Sequence, residues 1–219
     1  MRYLVIVAFL LANAMHMNAQ IVREMRINTS SSINTVKING VTAVCLLTGS
    51  TYKVEIETES ANQPYITVTK NNHQLEIEAI QKFKSRRCIA YITMPNNPVT
   101  IIAKNIASCY TNKNCTLELD NLQFDAQSVA RINMNLIAKD VFNCTLNAVA
   151  YTEMTGFANQ CKFDFNSTTD VKMEKFKIND LDLIANSSIF LNLYVSKRLK
   201  SKVHSVMHFN LEGQPLIVK

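Results

Sequence analysis

A short apolar pattern that recurs six times between residues 99 and 211 constrains the fold of this chain more than any other feature. Each copy holds two pairs of alternating residues, the second pair starting eight residues after the first. The copies begin 23, 22, 19, 18 and 20 residues apart, a spacing typical of stacked solenoid coils. The copies are Val99/Ile101 with Ala107/Cys109, Leu122/Phe124 with Ala130/Ile132, Cys144/Leu146 with Thr152/Met154, Phe163/Phe165 with Val171/Met173, Leu181/Leu183 with Ile189/Leu191, and Ser201/Val203 with Phe209/Leu211.

The two-residue step inside each pair predicts β-strands, because side chains two apart leave the same face of a strand. A coil of about 20 residues has room for three short strands and three turns, the repeat of a parallel β-helix. An antiparallel sandwich is the alternative, since it also shows short alternating strands at regular spacing. The β-helix predicts one ladder of Cys109, Ile132, Met154, Met173, Leu191 and Leu211, and another of Ile101, Phe124, Leu146, Phe165, Leu183 and Val203.

The chain before the repeats divides into a leader and a less regular β segment. Residues 1–19 have a basic start, an apolar run too short to span a bilayer and a small-residue exit, which together predict a secretory signal peptide. We place the cleavage between Ala19 and Gln20, with cleavage after Ala14 as the alternative. Residues 20–98 alternate less regularly, so we expect one domain over 20–219 whose regular coils occupy 99–211.

Charge and hydropathy limit the partners that the exported chain can have. The formal net charge is a mild +6, and no run after the leader approaches the roughly 18 apolar residues of a membrane helix. Two basic clusters suit anionic glycans, lipid headgroups or nucleic acid, or are solvated loops that protect a sheet edge. Neither has the interleaved aromatic residues that stack on bases, which argues against nucleic acid. The clusters are Lys82, Lys84, Arg86 and Arg87, and Lys197, Arg198, Lys200 and Lys202.

Several stretches that cover nearly the whole chain after the leader point to a known family. They are Ser32–Ile38, Val41–Val44, Thr48–Ile56, Asn72–Ile77, Tyr91–Pro95 and Gly213–Pro215.

In order and spacing these stretches resemble the auto-transporter adhesin head domain, called the GIN domain, of exported Bacteroidetes proteins. The resemblance implies a right-handed parallel β-helix and an adhesin-type role, and it brings no catalytic or binding residues with it. Family members turn between paired strands with a Ser-Gly-Ala-Ser-Asp type sequence, whereas this chain has only four glycines. We therefore expect its bends to avoid positive φ or to use Asn.

The chain carries no recognisable catalytic or cofactor motif. The GxSxG, HExxH and phosphate-loop patterns do not occur, and no cysteine or histidine spacing suits a metal. Six cysteines in an exported chain raise the question of disulfides. Cys109 and Cys144 fall on inward positions, so we expect mostly free buried thiols, with Cys109–Cys115 as the best candidate for a bridge.

Carboxylates need separate consideration, because β-helices often carry carbohydrate-cleaving sites. Paired carboxylates act on glycosidic bonds, and clustered ones hold calcium. Asp164 and Asp182 are predicted to share a ladder position just outside the core, although Thr145 and Gln123 interrupt any acidic column. A solvated face is the simpler interpretation.

These observations favour an exported, non-enzymatic β-helical domain, periplasmic, surface-attached or secreted, that binds a glycan or an envelope protein. We expect no cofactor and no metal. The alternatives are a carbohydrate-active enzyme, a glycan lyase or hydrolase with an acidic groove, and a purely structural envelope module. The candidate binding residues are Lys82, Lys84, Arg86, Arg87, Asp164 and Asp182.

Overall fold

A computed structural model describes residues 20–80, 87–97, 99–112, 115–188 and 190–218. The predicted signal peptide and Ala19 lie outside these ranges, as do three residues of the first basic cluster, Lys82, Lys84 and Arg86. The described chain is nearly all β, as predicted, and its strands join in one large sheet.

Within the described residues the elements are thirteen strands and one short 3₁₀ helix (Ser60–Tyr65). The strands are β1 (Ile21–Thr29), β2 (Thr35–Asn39), β3 (Ala43–Thr48), β4 (Tyr52–Glu59), β5 (Ile66–Asn71), β6 (Gln74–Ala79), β7 (Cys88–Met94), β8 (Val99–Thr111), β9 (Leu117–Asn166), β10 (Asp170–Asn186), β11 (Phe190–His204), β12 (His208–Glu212) and β13 (Leu216–Val218).

From β8 onward each strand pairs in parallel with a strand about one repeat further along the chain. Val99 lies opposite Leu122, a separation of 23 residues, and Phe163 lies opposite Leu183, a separation of 20. The pairings of β10 with β11 and of β11 with β12 are also parallel. The repeated segments therefore stack side by side, and the antiparallel sandwich is wrong for this part of the chain.

The stacking register corrects the ladder that was predicted through Phe165 and Leu183. Leu183 pairs with Phe163 on one side and Ser201 on the other, while Phe165 pairs with Ala185. The fifth copy of the repeat therefore begins at Leu183, two residues later than predicted. A shift by two residues leaves the same side chains inside the core, so alternation alone does not reveal it.

The other predicted ladder is displaced in the same way. Its first step, Cys109 opposite Ile132, is confirmed. Further along, Leu191 pairs with Val171 and not with Met173. Met173 has Leu193 as its partner, two residues on from Leu191.

One residue in each coil adopts the left-handed backbone conformation, at the bend between two strand segments. The prediction that these bends avoid positive φ or use Asn is wrong, because most of them use Ser or Ala. The residues are Asn105 (φ 52°), Ser128 (55°), Ala148 (53°), Ser167 (54°), Ser187 (55°) and Ser205 (54°).

The left-handed residue turns the side chain that follows it into the core. Ile106 and Val129 are buried directly after their bends. Ala107 and Ala130, which the repeat placed inside, are exposed. The bend therefore changes the alternation locally, which a constant offset of eight residues does not describe.

The N-terminal segment covers one end of the stack. β1 pairs antiparallel with β4, β4 with β7, and β5 with β6, while β2 and β3 pair in parallel with β8. The 3₁₀ helix places the amide of Gln63 in the interior, where Nε2 donates to the carbonyl oxygens of Ile56 and Val22. Buried carbonyl groups at this end thus obtain hydrogen-bond donors.

Replacing Ala148 by glycine tests whether the residues at these bends adopt the left-handed backbone conformation. A left-handed L-residue costs roughly 1–2 kcal/mol, and glycine costs roughly 0.5–1 kcal/mol through its greater freedom in the unfolded chain. Ala148→Gly should therefore raise the free energy of unfolding by about 0.5–1 kcal/mol in urea denaturation. The matched control is Ala150→Gly, at an exposed strand position, which should lower it by a similar amount. Equal destabilisation by both variants would contradict the bend geometry.

Candidate functional site

The outward side chains of successive stacked strands form one continuous polar surface, here called the groove face. Strand pairing gives its register at both ends, and the positive-φ bends at Ser128, Ala148 and Ser167 align the segments of β9 between them, so its side chains form two parallel rows. One row contains Thr100, Gln123, Asn143, Lys162, Asp182 and Lys200, and the other Ile102, Asp125, Thr145, Asp164, Ile184 and Lys202.

Three shallow grooves of about 390, 710 and 400 Å³ run along this face. The first, the lysine groove, lies at the C-terminal end and is lined by Lys162, Lys200 and Lys202 among others. The grooves share lining residues: Asn143 belongs to the first and second, Gln123 to the second and third, and Thr145 to the first and third. An extended ligand could therefore occupy all three without a break.

Asp164 and Asp182 both line the lysine groove, but the prediction that they share a ladder position is wrong. Asp164 lies opposite Ile184, and Asp182 lies opposite Lys162 on one side and Lys200 on the other. The cause is the two-residue shift of the fifth coil. The two carboxylates are therefore not direct neighbours on adjacent strands.

Each of these carboxylates has a partner of its own. Asn166 donates from Nδ2 to Asp164 Oδ1 at 2.8 Å. Arg198 Nη2 lies 3.2 Å from Asp182 Oδ1, an ion pair without hydrogen-bond geometry, and Arg198 Nε lies 3.4 Å from Asp180 Oδ1. Arg198 therefore holds two aspartates beside the groove.

This arrangement leaves the lysines of the groove without acidic partners. Among the residues that the structure describes, Lys162, Lys200 and Lys202 form no ion pair, although Asp182 lies between the first two in the ladder. Asn143 Oδ1 is buried in the same groove and accepts no hydrogen bond. The groove thus offers three ammonium donors and an unused amide acceptor.

Arg87, the described residue of the first basic cluster, lies elsewhere in the fold. Its Nε donates to Glu57 Oε1 at 2.8 Å, and Tyr91 donates its hydroxyl proton to Glu57 Oε2 at 3.1 Å. The hydrogen bond from Arg87 holds its guanidinium next to a carboxylate, which raises the pKa of Arg87. The structure therefore does not bring Arg87 together with Asp164 and Asp182.

Two tyrosines outside the groove face each have an arginine guanidinium over the ring. The sequence pattern does not predict these two contacts. The Arg23 guanidinium lies 3.7 Å from the Tyr91 ring centroid, and the Arg131 guanidinium lies 4.7 Å from that of Tyr151. Arg23 also donates a hydrogen bond from Nη2 to Glu55 Oε2 at 2.8 Å. This hydrogen bond lowers the pKa of the Glu55 carboxyl. These residues are distant in sequence, so only the strand register brings them together.

All six cysteines are free, and the candidate bridge between Cys109 and Cys115 is not formed. Five are buried and Cys115 is half-buried. Burial raises the pKa of the Cys88 thiol to about 11 and that of Cys109 to about 12, and it also raises the pKa of Cys144. Buried neutral thiols of this kind fill space and are poor nucleophiles.

No helix in the described ranges is long and apolar enough to cross a membrane. No three His, Cys, Asp or Glu side chains in them lie close enough together to hold a metal ion.

Comparison with known protein families gave one match that covers most of the chain. Residues 32–215 match the model of the family described as "Putative auto-transporter adhesin, head GIN domain". No curated protein matches the chain.

Several solved structures share the fold at low sequence identity. A "putative adhesin" from Bacteroides fragilis is 12% identical with a TM-score of 0.54, and the match covers 91% of this chain and 97% of that one. A "putative adhesin" from Parabacteroides distasonis is 14% identical with a TM-score of 0.55, covering 91% and 97%. A "Putative lipid binding protein" from the same species is 9% identical with a TM-score of 0.53, covering 92% and 98%.

Thiol labelling tests the burial of the cysteines. At pH 8 a thiol of pKa about 11 is ionised in on the order of one molecule in a thousand, so Cys88 and Cys109 should react very slowly with an aromatic disulfide reagent. We expect one fast equivalent per native chain, from Cys115, and six after denaturation. Cys115→Ser should abolish the fast phase. Two or more fast equivalents in the native protein would contradict the burial described here.

Proposed function

The chain belongs to the "Putative auto-transporter adhesin, head GIN domain" family, and from this membership we propose that it is an exported, non-enzymatic binding domain of adhesin type. It acts at the cell surface or in the envelope, where it holds a glycan or protein partner. In this proposal residues 1–19 are the signal peptide, with cleavage between Ala19 and Gln20, and residues 20–219 form one domain.

We further propose that the stacked strands coil as a right-handed parallel β-helix. The parallel pairing of β8 through β12 at separations of 17 to 23 residues supports this architecture. A coil of that length cannot bury its inner face alone, so each coil depends on its neighbours.

The observation that carries the proposed function is the continuity of the groove face. Binding surfaces of repeat proteins are extended and are built from equivalent positions on successive repeats. The groove face has this form, with amide, hydroxyl and charged side chains in register along linked grooves. Such a surface presents many weak polar contacts to a long partner.

The arrangement of the carboxylates favours binding over glycan cleavage. A glycosidase needs two carboxyl groups that face each other across the scissile bond. Asp164 is held by Asn166 and Asp182 by Arg198, and the two carboxylates lie diagonally on adjacent strands and not opposite each other. This geometry supports surface recognition, and Asp164 and Asp182 are proposed as part of that surface.

A surface-retention assay tests the proposed function. The fluorescently labelled protein should be retained on intact Bacteroides cells or on a mucin-coated surface. A variant with Gln123→Phe and Thr145→Phe, which adds uncharged bulk to the middle of the groove face, should lose most of that retention. No retention of the unaltered protein on either surface would contradict the proposal.

The matched control places the same two phenylalanines outside the three grooves. Asn192 and Asn210 are opposite each other on β11 and β12 and line none of the three grooves, so the control is Asn192→Phe with Asn210→Phe. This variant should be retained as well as the unaltered protein. Equal loss in both variants would show that the groove face is not the binding surface.

A further inference from the structure

The lysine groove differs from the rest of the groove face in its charge. Lys162, Lys200 and Lys202 are exposed and line the groove together. Strands in a sheet are about 4.8 Å apart, so Lys162 and Lys200 start from backbone positions about 10 Å apart, on either side of Asp182. Three ammonium groups thus converge on one open groove.

Arg198 explains why the positive charge of the three lysines is not neutralised. It pairs with Asp180 and Asp182 at the same time, so the carboxylate between the two lysines is already engaged. Both members of the Arg198–Asp182 pair are about two-fifths exposed, and such pairs contribute little to stability. Of the two carboxylates that line the groove, only Asp164 then remains against three lysines, so the groove keeps a local excess of positive charge.

The groove also contains an acceptor without a hydrogen-bond donor. Asn143 Oδ1 is buried and receives no hydrogen bond. A ligand that satisfies the groove must therefore carry anionic groups for the lysines and also a hydroxyl or amide donor for this oxygen. A free sulfate ion supplies only the anionic groups.

We propose that the lysine groove binds an acidic polysaccharide, a glycan chain that carries carboxylate or sulfate groups between free hydroxyls. The proposal rests on the proposed binding function and names its partner. The polymer would meet the lysines with its anionic groups and Asn143 Oδ1 with a hydroxyl. It would continue past Asn143 and Thr145 into the other two grooves, which neither a single lipid headgroup nor a free ion could fill.

The experiment measures the affinity of the purified protein for defined glycans by calorimetric titration at low salt. The probes are oligogalacturonate, which carries carboxylates, and chondroitin sulfate, which carries carboxylates and sulfates. Neutral dextran is the uncharged control, and phosphatidylglycerol vesicles test a lipid surface. We expect at least one acidic glycan to bind, dextran not to bind, and the affinity to fall as salt rises, because bound counterions are released.

Two triple variants locate the binding site. Lys162→Gln, Lys200→Gln and Lys202→Gln together should weaken binding of the acidic glycan by about tenfold or more. Lys175→Gln, Lys177→Gln and Lys197→Gln remove the same charge from exposed positions outside the groove and should change the affinity less than about twofold. Thermal melting checks that both variants fold.

Asn143→Ala provides a variant without a change in charge. It removes the unpaired acceptor, so it should weaken glycan binding by about threefold or more and leave the salt dependence unchanged. A purely electrostatic attraction would not respond to this substitution.

Several outcomes would overturn the inference: no binding of either acidic glycan, equal binding of dextran, equal loss in the two lysine variants, or binding to the vesicles alone. The surface-retention assay separates these failures from failure of the proposed function. If the variant lacking Lys162, Lys200 and Lys202 is retained on cells as well as the unaltered protein, the adhesin-type function stands and the acidic glycan is wrong.

Discussion

The structure depends on the burial of each repeat's apolar face between its neighbours. A single repeat of about 20 residues has no core of its own, so its apolar side chains and its strand hydrogen bonds are completed by the repeats on either side. Five buried phenylalanines take part in this core, and Phe142 contacts Phe163 and Phe176 edge to face at centroid distances of 5.4 and 5.9 Å. Because the inner face fixes the register, the outer face follows as ordered rows of side chains.

Much of the inner face could be predicted from the sequence. Val99, Phe124 and Leu146 alternate with polar residues, and all are buried. The inward positions of Cys109 and Cys144 followed from the same two-residue period. Hydrophobic alternation is a strong signal because a one-residue slip would expose every core side chain of a strand.

The outer rows could not be predicted with the same success, for a related reason. A two-residue slip keeps Leu181 and Leu183 inside the core, so the apolar pattern is the same with and without the slip. It nevertheless changes every cross-strand neighbour on the outer face, which is why Asp182 was placed beside Asp164 and not beside Lys162. The bend at Ser187 fixes the register here, and serine at positive φ has no sequence signal comparable to glycine.

This division between inner and outer positions also explains what family membership can and cannot supply. Solved structures that are only 12% and 14% identical to this chain share its fold, because a stacked core needs the pattern of apolar residues more than their identity. The outer rows are under no such packing constraint, and Lys162, Lys200, Lys202 and Arg198 all lie there. The charge of the lysine groove is therefore a property of this chain and not of the fold, and so the binding partner must be argued from these residues and measured on this protein.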